Sequence, residues 1–275
     1  MNETASSPVV RATGSSFYLA MRILPRERRE AMYAIYDFCR VVDDIADGSA
    51  AFAQRLLALE NWRSKIGEIF SGRAPADLEA LAQAVRRYGL RQEDFNSIID
   101  GMAMDAAADI RAPEWTTLDL YCDRVASAVG RLSVRVFGLG EETSATLAHH
   151  LGRALQLTNI LRDIDEDAAI GRLYIPHEAL LRAGITADEP LSVAADPRLS
   201  GACLEIAERA RAHFDEARRI MAGEPRAAVR APRLMAAAYR SLLDNMVTRG
   251  FAPPRRRVRV SRLRMLGAIL RHAIP

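Results

Sequence analysis

One lysine, three cysteines and two tryptophans are all that 275 residues hold of those types, and each scarcity excludes something. Positive charge falls to arginine, Lys65 being the single lysine, and a net charge of +3 over this length gives no support to nucleic-acid binding. Cys39, Cys122 and Cys203 are odd in number and isolated. They suit a reducing cytoplasm and a place in the core better than a disulfide framework. Nowhere do about eighteen uncharged apolar residues follow one another, so no spanning helix is expected and membrane contact is restricted to the periphery. The N-terminal stretch has Arg11 alone for positive charge and no apolar run long enough for a secretory signal; residues 1–12 read as an arm and 13–275 as one domain. Strand-type alternation, a Gly-rich dinucleotide fingerprint and a fixed-period repeat are all missing. No His or Cys lies at a sequence spacing that selects zinc or iron.

What is present is helical. Hydrophobic residues make up 49% of the chain, enough for a large core. From Pro25 to Asp47 apolar residues recur at helical spacing through Met32, Ile35, Tyr36, Cys39, Val42 and Ile45. The same period predicts helices over 52–70, 76–88, 91–108, 115–137, 142–167, 199–222 and 227–249, separated by Gly and Pro. Short connections predict an all-α bundle, with one longer irregular connection over 184–198.

Two acidic clusters stand out against this apolar background: Asp43-Asp44-Ile45-Ala46-Asp47 and Asp163-Ile164-Asp165-Glu166-Asp167. Tyr36, Arg40, Asp43 and Asp47 fall at i, i+4, i+7 and i+11, one stripe of a helix. Gln156, Asn159, Asp163 and Asp167 repeat the pattern, with two amides ahead of two carboxylates. A solvated face with an exposed Arg-Asp pair, worth about 0.3–0.5 kcal/mol, accounts for one such stripe alone. Two facing stripes would instead make a wall of hard oxygen donors for magnesium or manganese, with room for phosphate oxygens. Arg162 and Arg172, the latter in the Gly171-to-Pro176 loop, are placed to grip diphosphate oxygens bidentately or to pair with Asp165 and Glu166 on the surface.

Five separated motifs then coincide: Ser16-Phe17-Tyr18, Tyr33 through Arg40, Asp43 through Asp47, Tyr121 through Gly130, and Leu155 through Asp167. Together they resemble the squalene and phytoene synthases over about residues 13–265, and the Ser16-to-Asp47 stretch most resembles the bacterial presqualene diphosphate synthases of the hopanoid route. The resemblance implies a single-domain isoprenoid synthase bundle around a central cavity, with Asp43, Asp47, Asp163 and Asp167 holding magnesium. It implies that Ser16, Arg40, Gln156, Asn159, Arg162 and Arg172 contact diphosphate, Asn159 also serving the metal. Phe17, Tyr36, Tyr121 and Tyr174 match aromatic or phenolic positions near the reacting carbons or the diphosphates; a lone aromatic at helical spacing is otherwise a core residue. Tyr239 and Arg257 are weaker matches, because the arginine run from Arg255 blurs the register.

The expected reaction is head-to-head condensation of two farnesyl diphosphates to presqualene diphosphate in a cavity that excludes water. Squalene, dehydrosqualene and phytoene formation are the alternatives within the family. No NADPH is expected. A non-catalytic helical assembly factor is the alternative of another class, opposed by the presence of all four outer aspartates. A helix-loop-helix calcium module lacks the required loop spacing. The arginine-rich segment from Arg255 to Pro275 suits either an anionic membrane surface, peripheral to a cytoplasmic enzyme and its downstream pathway partners, or an ordinary closing helix.

Overall fold

Apolar stripes recurring every three or four residues must be covered, and in a chain of this pattern helices cover one another. The computed structural model describes residues 20–107, 110–256 and 258. Its helices are α1 (Arg26–Asp47), α2 (Phe52–Phe70), α3 (Glu79–Tyr88), α4 (Gln92–Ala106), α5 (Trp115–Cys122), α6 (Ala128–Phe137), α7 (Glu141–Arg162), α8 (Ile164–Ala169), α9 (His177–Arg182), α10 (Pro190–Ala195), α11 (Leu199–Ala222) and α12 (Arg226–Arg249). Among the described residues there is no strand, only an isolated bridge between Arg111 and Leu173. The expected all-α bundle is the fold.

Helix α1 starts after Pro25, whose missing N–H costs nothing there, and buries Ala31, Met32, Ile35, Phe38, Val42 and Ala46. Those residues face α3, α4 and α6, which leaves Asp43 and Asp47 on the neighbouring stripe. Helix α7 runs through the middle, packed on α6, α11 and α12. Phe38, Phe95 and Trp62 lock α1, α4 and α2 together edge to face, with ring centroids 5.2 and 5.8 Å from Phe38.

Three departures from the expected helices matter. The segment 115–137 is not one helix: residues Asp123–Ser127 form a π turn between α5 and α6. It is wedged between Gly101 of α4 and Gly152 of α7, where an added Cβ would stand 2.6 Å from Val125 Cγ1 and 2.7 Å from the Ser127 backbone. The predicted helix 142–167 breaks at Asp163 (φ −105°, ψ 16°), although the Asp163 and Asp167 amides still reach back four residues, to Asn159 and Asp163, so the face is kept. The connection 184–198, expected to be irregular, contains α10, capped by Glu189 on the amides of Leu191 and Ser192, and α9 precedes it.

The expected arm 1–12, Ser16, Phe17 and Arg257 lie outside the described residues, as does nearly all of the C-terminal segment. Arg255 is described and is turned inward. Its guanidinium is 4% exposed and bonds Asp165, Ala194 O and Phe251 O at 2.5, 2.5 and 2.9 Å, so this arginine is not presented to a membrane. No helix among the described residues is long and apolar enough to cross one.

Candidate active site

The C-terminal half of α1 carries the first stripe. Arg40 donates from Nη1 to Asp43 Oδ2 (2.6 Å) and from Nη2 to Asp44 Oδ1 (2.7 Å). Burial, and secondarily the charge of Asp47, push the Asp43 carboxyl up to about 6 against the opposing pull of Arg40.

The end of α7 and the start of α8 carry the second stripe. Asn159 Nδ2 donates to Gln156 Oε1 at 3.4 Å. Its Oδ1 is buried and has no hydrogen-bond partner among the described residues, an orphan acceptor of the kind that a cation relieves. Arg162 grips Asp163 with two bonds, Nε to Oδ1 at 2.8 Å and Nη2 to Oδ2, and also bonds Tyr239. Burial, then the charge of Asp163, raise Asp167 to about 7, with Arg172 working in the opposite direction.

The two stripes meet through Arg172. Gly171, at φ +78°, makes a left-handed turn that an L side chain resists, and the chain doubles back so that Arg172 Nη1 reaches Asp47 Oδ1 at 2.8 Å, 125 residues away in sequence. Of the carboxylates near them, Arg162 bonds Asp163 and Arg172 bonds Asp47. Asp165 faces outward instead, to Arg255.

One candidate site residue escaped the sequence. Asp105, at the end of α4 and 8% exposed, accepts from Tyr174 Oη at 2.5 Å and from Tyr121 Oη at 2.8 Å. The two phenol rings stack with centroids 5.1 Å apart. Burial raises Asp105, and its charge bears on Asp43 and Asp167. Asp105 therefore brings a carboxylate from a third helix close to both stripes. The only signal was a carboxylate sharing the apolar stripe of Ile98 and Met102.

Tyr36, Arg40, Asp43, Gln156, Asn159, Asp163, Asp167, Arg162 and Arg172 are partly buried, Asp47 is exposed, and Tyr121 and Tyr174 are buried. Carboxylates and an amide oxygen with raised or unmet demands fit a hard divalent cation. Arginines beside them suit an anionic ligand bridging those cations.

The family model for squalene/phytoene synthase matches residues 10–264. The chain belongs to the squalene/phytoene synthase family. Within this family, presqualene diphosphate synthase of Rhodopseudomonas palustris (strain ATCC BAA-98 / CGA009) is 56% identical over 263 residues, covering 96% of this chain and 94% of that protein. The presqualene diphosphate synthase of Sinorhizobium fredii (strain NBRC 101917 / NGR234) is 56% identical over the same length and shares of each chain. Among solved structures, a dehydrosqualene synthase in complex with ligand gives a TM-score of 0.83 at 26% identity, covering 96% of this chain and 93% of that one.

Proposed function

We infer that the protein is a prenyltransferase that condenses two farnesyl diphosphates head to head into presqualene diphosphate, releasing one diphosphate and one proton. The observation that carries this reading is identity of 56% to presqualene diphosphate synthases along nearly their whole length.

Asp43 and Asp47 on α1 and Asn159, Asp163 and Asp167 on α7 and α8 would hold magnesium, with manganese an alternative of the same class. When bound, such ions supply Lewis-acid stabilisation of the leaving diphosphate. Arg172 leaves Asp47 and Arg40 leaves Asp44 to take diphosphate oxygens, exchanging one anionic partner for another. Arg162 stays on Asp163 and fixes that carboxylate's orientation. Charge that develops as the first C–O bond breaks is met by donors already in place, the arrangement that lowers a barrier most.

The second farnesyl double bond then attacks the allylic cation, and loss of a proton closes the cyclopropane ring. Tyr121 and Tyr174, each donating to Asp105, present phenol oxygens made electron-rich by that carboxylate, and their ring faces tolerate a cation without trapping it. Tyr36, one turn before Arg40, lines the same stripe. Ser16 and Phe17 complete the substrate contacts in this reading. The reaction needs no NADPH. Three free cysteines fit a cytoplasmic setting, from which the product passes to a membrane and to the next enzyme of a hopanoid-type route.

Incubation with farnesyl or geranylgeranyl diphosphate and magnesium, with and without NADPH, followed by mass spectrometry, tests the reading. Presqualene diphosphate from farnesyl diphosphate in both conditions is expected. Squalene formed only with NADPH, or phytoene as the main product, would overturn it.

A further inference from the structure

Away from the two acidic stripes, folding brings one histidine to a pair of adjacent histidines 63 residues earlier in the chain. His149 and His150 are neighbours on α7, and His213 comes from α11. One ring nitrogen of each lies within 4.8 Å of the others, and His150 Nδ1 is 3.0 Å from His213 Nδ1. Nine to ten residues of α7 separate this trio from Asn159, about 15 Å along the helix axis. The expectation that no His or Cys lies at a zinc-selecting spacing concerned positions along the chain, and this group forms only in space.

We propose that His149, His150 and His213 form a binding site for a borderline divalent transition-metal ion of the zinc class, clamping α7 to α11. Metal-nitrogen bonds of about 2.0–2.1 Å in a tetrahedral site hold two nitrogens about 3.3 Å apart. The His150–His213 pair already approaches that spacing. His149 is exposed, so its ring is free to turn the remaining distance, and solvent reaches the fourth coordination position. Imidazole nitrogens suit zinc, nickel and copper, whereas magnesium prefers the oxygen donors of the acidic cavity, so the two sites select different ions.

The surrounding charge permits a cation. Arg153, one turn along α7, faces the trio, but it is held by Asp119 through two bonds of 2.6 and 2.8 Å and by Asp123 at 3.2 Å. Asp123 also serves Arg131, itself paired with Asp94. Glu216 on α11, one turn beyond His213, pairs with Arg219. Acidic groups thus match or outnumber basic ones around the rings. His213 is lowered to about 4 and His150 is lowered too, both chiefly by burial, and the Arg153 charge presses on all three rings in the same direction.

The test is zinc titration of the full-length protein against a competing chelator, in magnesium excess to occupy the oxygen-donor site, with X-ray absorption at the zinc edge. Expected are one zinc per chain with imidazole scattering at about 2.0–2.1 Å. At about a hundredfold excess over Kd the melting temperature should rise by about 5 °C. His213→Asn should abolish both effects, and the exposed variant His149→Gln, which keeps the fold, should weaken binding at least about tenfold, a shift set by losing one ligand. Both variants should keep wild-type turnover of farnesyl diphosphate without zinc. Equal zinc affinity in wild type and His149→Gln, or a bound zinc without imidazole scattering, overturns the proposal.

Discussion

Replacing Asp167 by Asn is expected to make the metal-free protein more stable and less active at once. Burial and Asp163 raise the folded-state Asp167 from 3.8 to about 7, so the folded state binds the proton more tightly than the unfolded chain. Stability contributed by this group is therefore lost as pH rises from about 4 to about 7 and stays lost above. Taken whole, the difference is ~4 kcal/mol at 1.36 kcal/mol per pH unit. The carboxyl is only partly buried, and solvent screening reduces that to about 1–2 kcal/mol. Asn removes the charge, so at pH 8 with chelator present the variant should melt about 2–4 °C above wild type. At pH 5, where folded Asp167 is already protonated, the gain should shrink to less than half. Magnesium should raise the melting temperature of wild type and do so less for the variant, while turnover falls by about 10²-fold or more. Calorimetry at both pH values, with and without magnesium, reads all of this. A variant that melts below wild type at pH 8 without metal, or whose gain is the same at both pH values, would refute the account of a strained, cation-seeking site.

Arg172→Ala removes the 2.8 Å contact across the two stripes and should lower kcat/KM by about 10²–10³-fold, with Arg172→Lys recovering only part because a lysine cannot fork; steady-state kinetics decide. Asp105→Asn leaves one tyrosine hydroxyl facing an N–H instead of an oxygen, and kcat should fall by about 10²-fold with helical circular dichroism unchanged. Gly152→Ala puts a methyl 2.7 Å from the Ser127 backbone and should cost about 1–3 kcal/mol, net of the better helix propensity of Ala. Gly67→Ala, where the nearest atom is 3.9 Å away, should instead stabilise by about 0.5–1 kcal/mol, and parallel thermal melts of the two variants test the contrast.

Helix positions were legible where an apolar period ran uninterrupted to a Gly or Pro, which is why the ends at 70, 222 and 249 fall where the pattern stops. Short helices α9 and α10 hold too few turns to show a period. The π turn was hidden because Arg124-Val125-Ala126-Ser127 keeps helical spacing, and what opens the turn is contact with α4 and α7, remote in sequence. Both acidic stripes were legible because their donors repeat at one face of a helix. Asp105 was not: its partners lie 16 and 69 residues away, and its place on the apolar stripe of Ile98 and Met102 says that it is buried without saying what it meets. The pairing of Arg172 with Asp47 was beyond sequence for the same reason, whereas the tight bend at Gly171 that permits it was visible as a glycine before an arginine.

The widened turn at Asp123–Ser127 amounts to one surplus residue in an otherwise regular rod. Deleting any single residue there would let the rod close into standard winding, and everything ahead of it would swivel by roughly 100° about the axis. Tyr121, just upstream, would swing away from Tyr174 and Asp105. The surplus residue is thus a phase-setter: it lets α6 keep its seat in the core while α5 aims a phenol in a direction that uninterrupted winding would forbid.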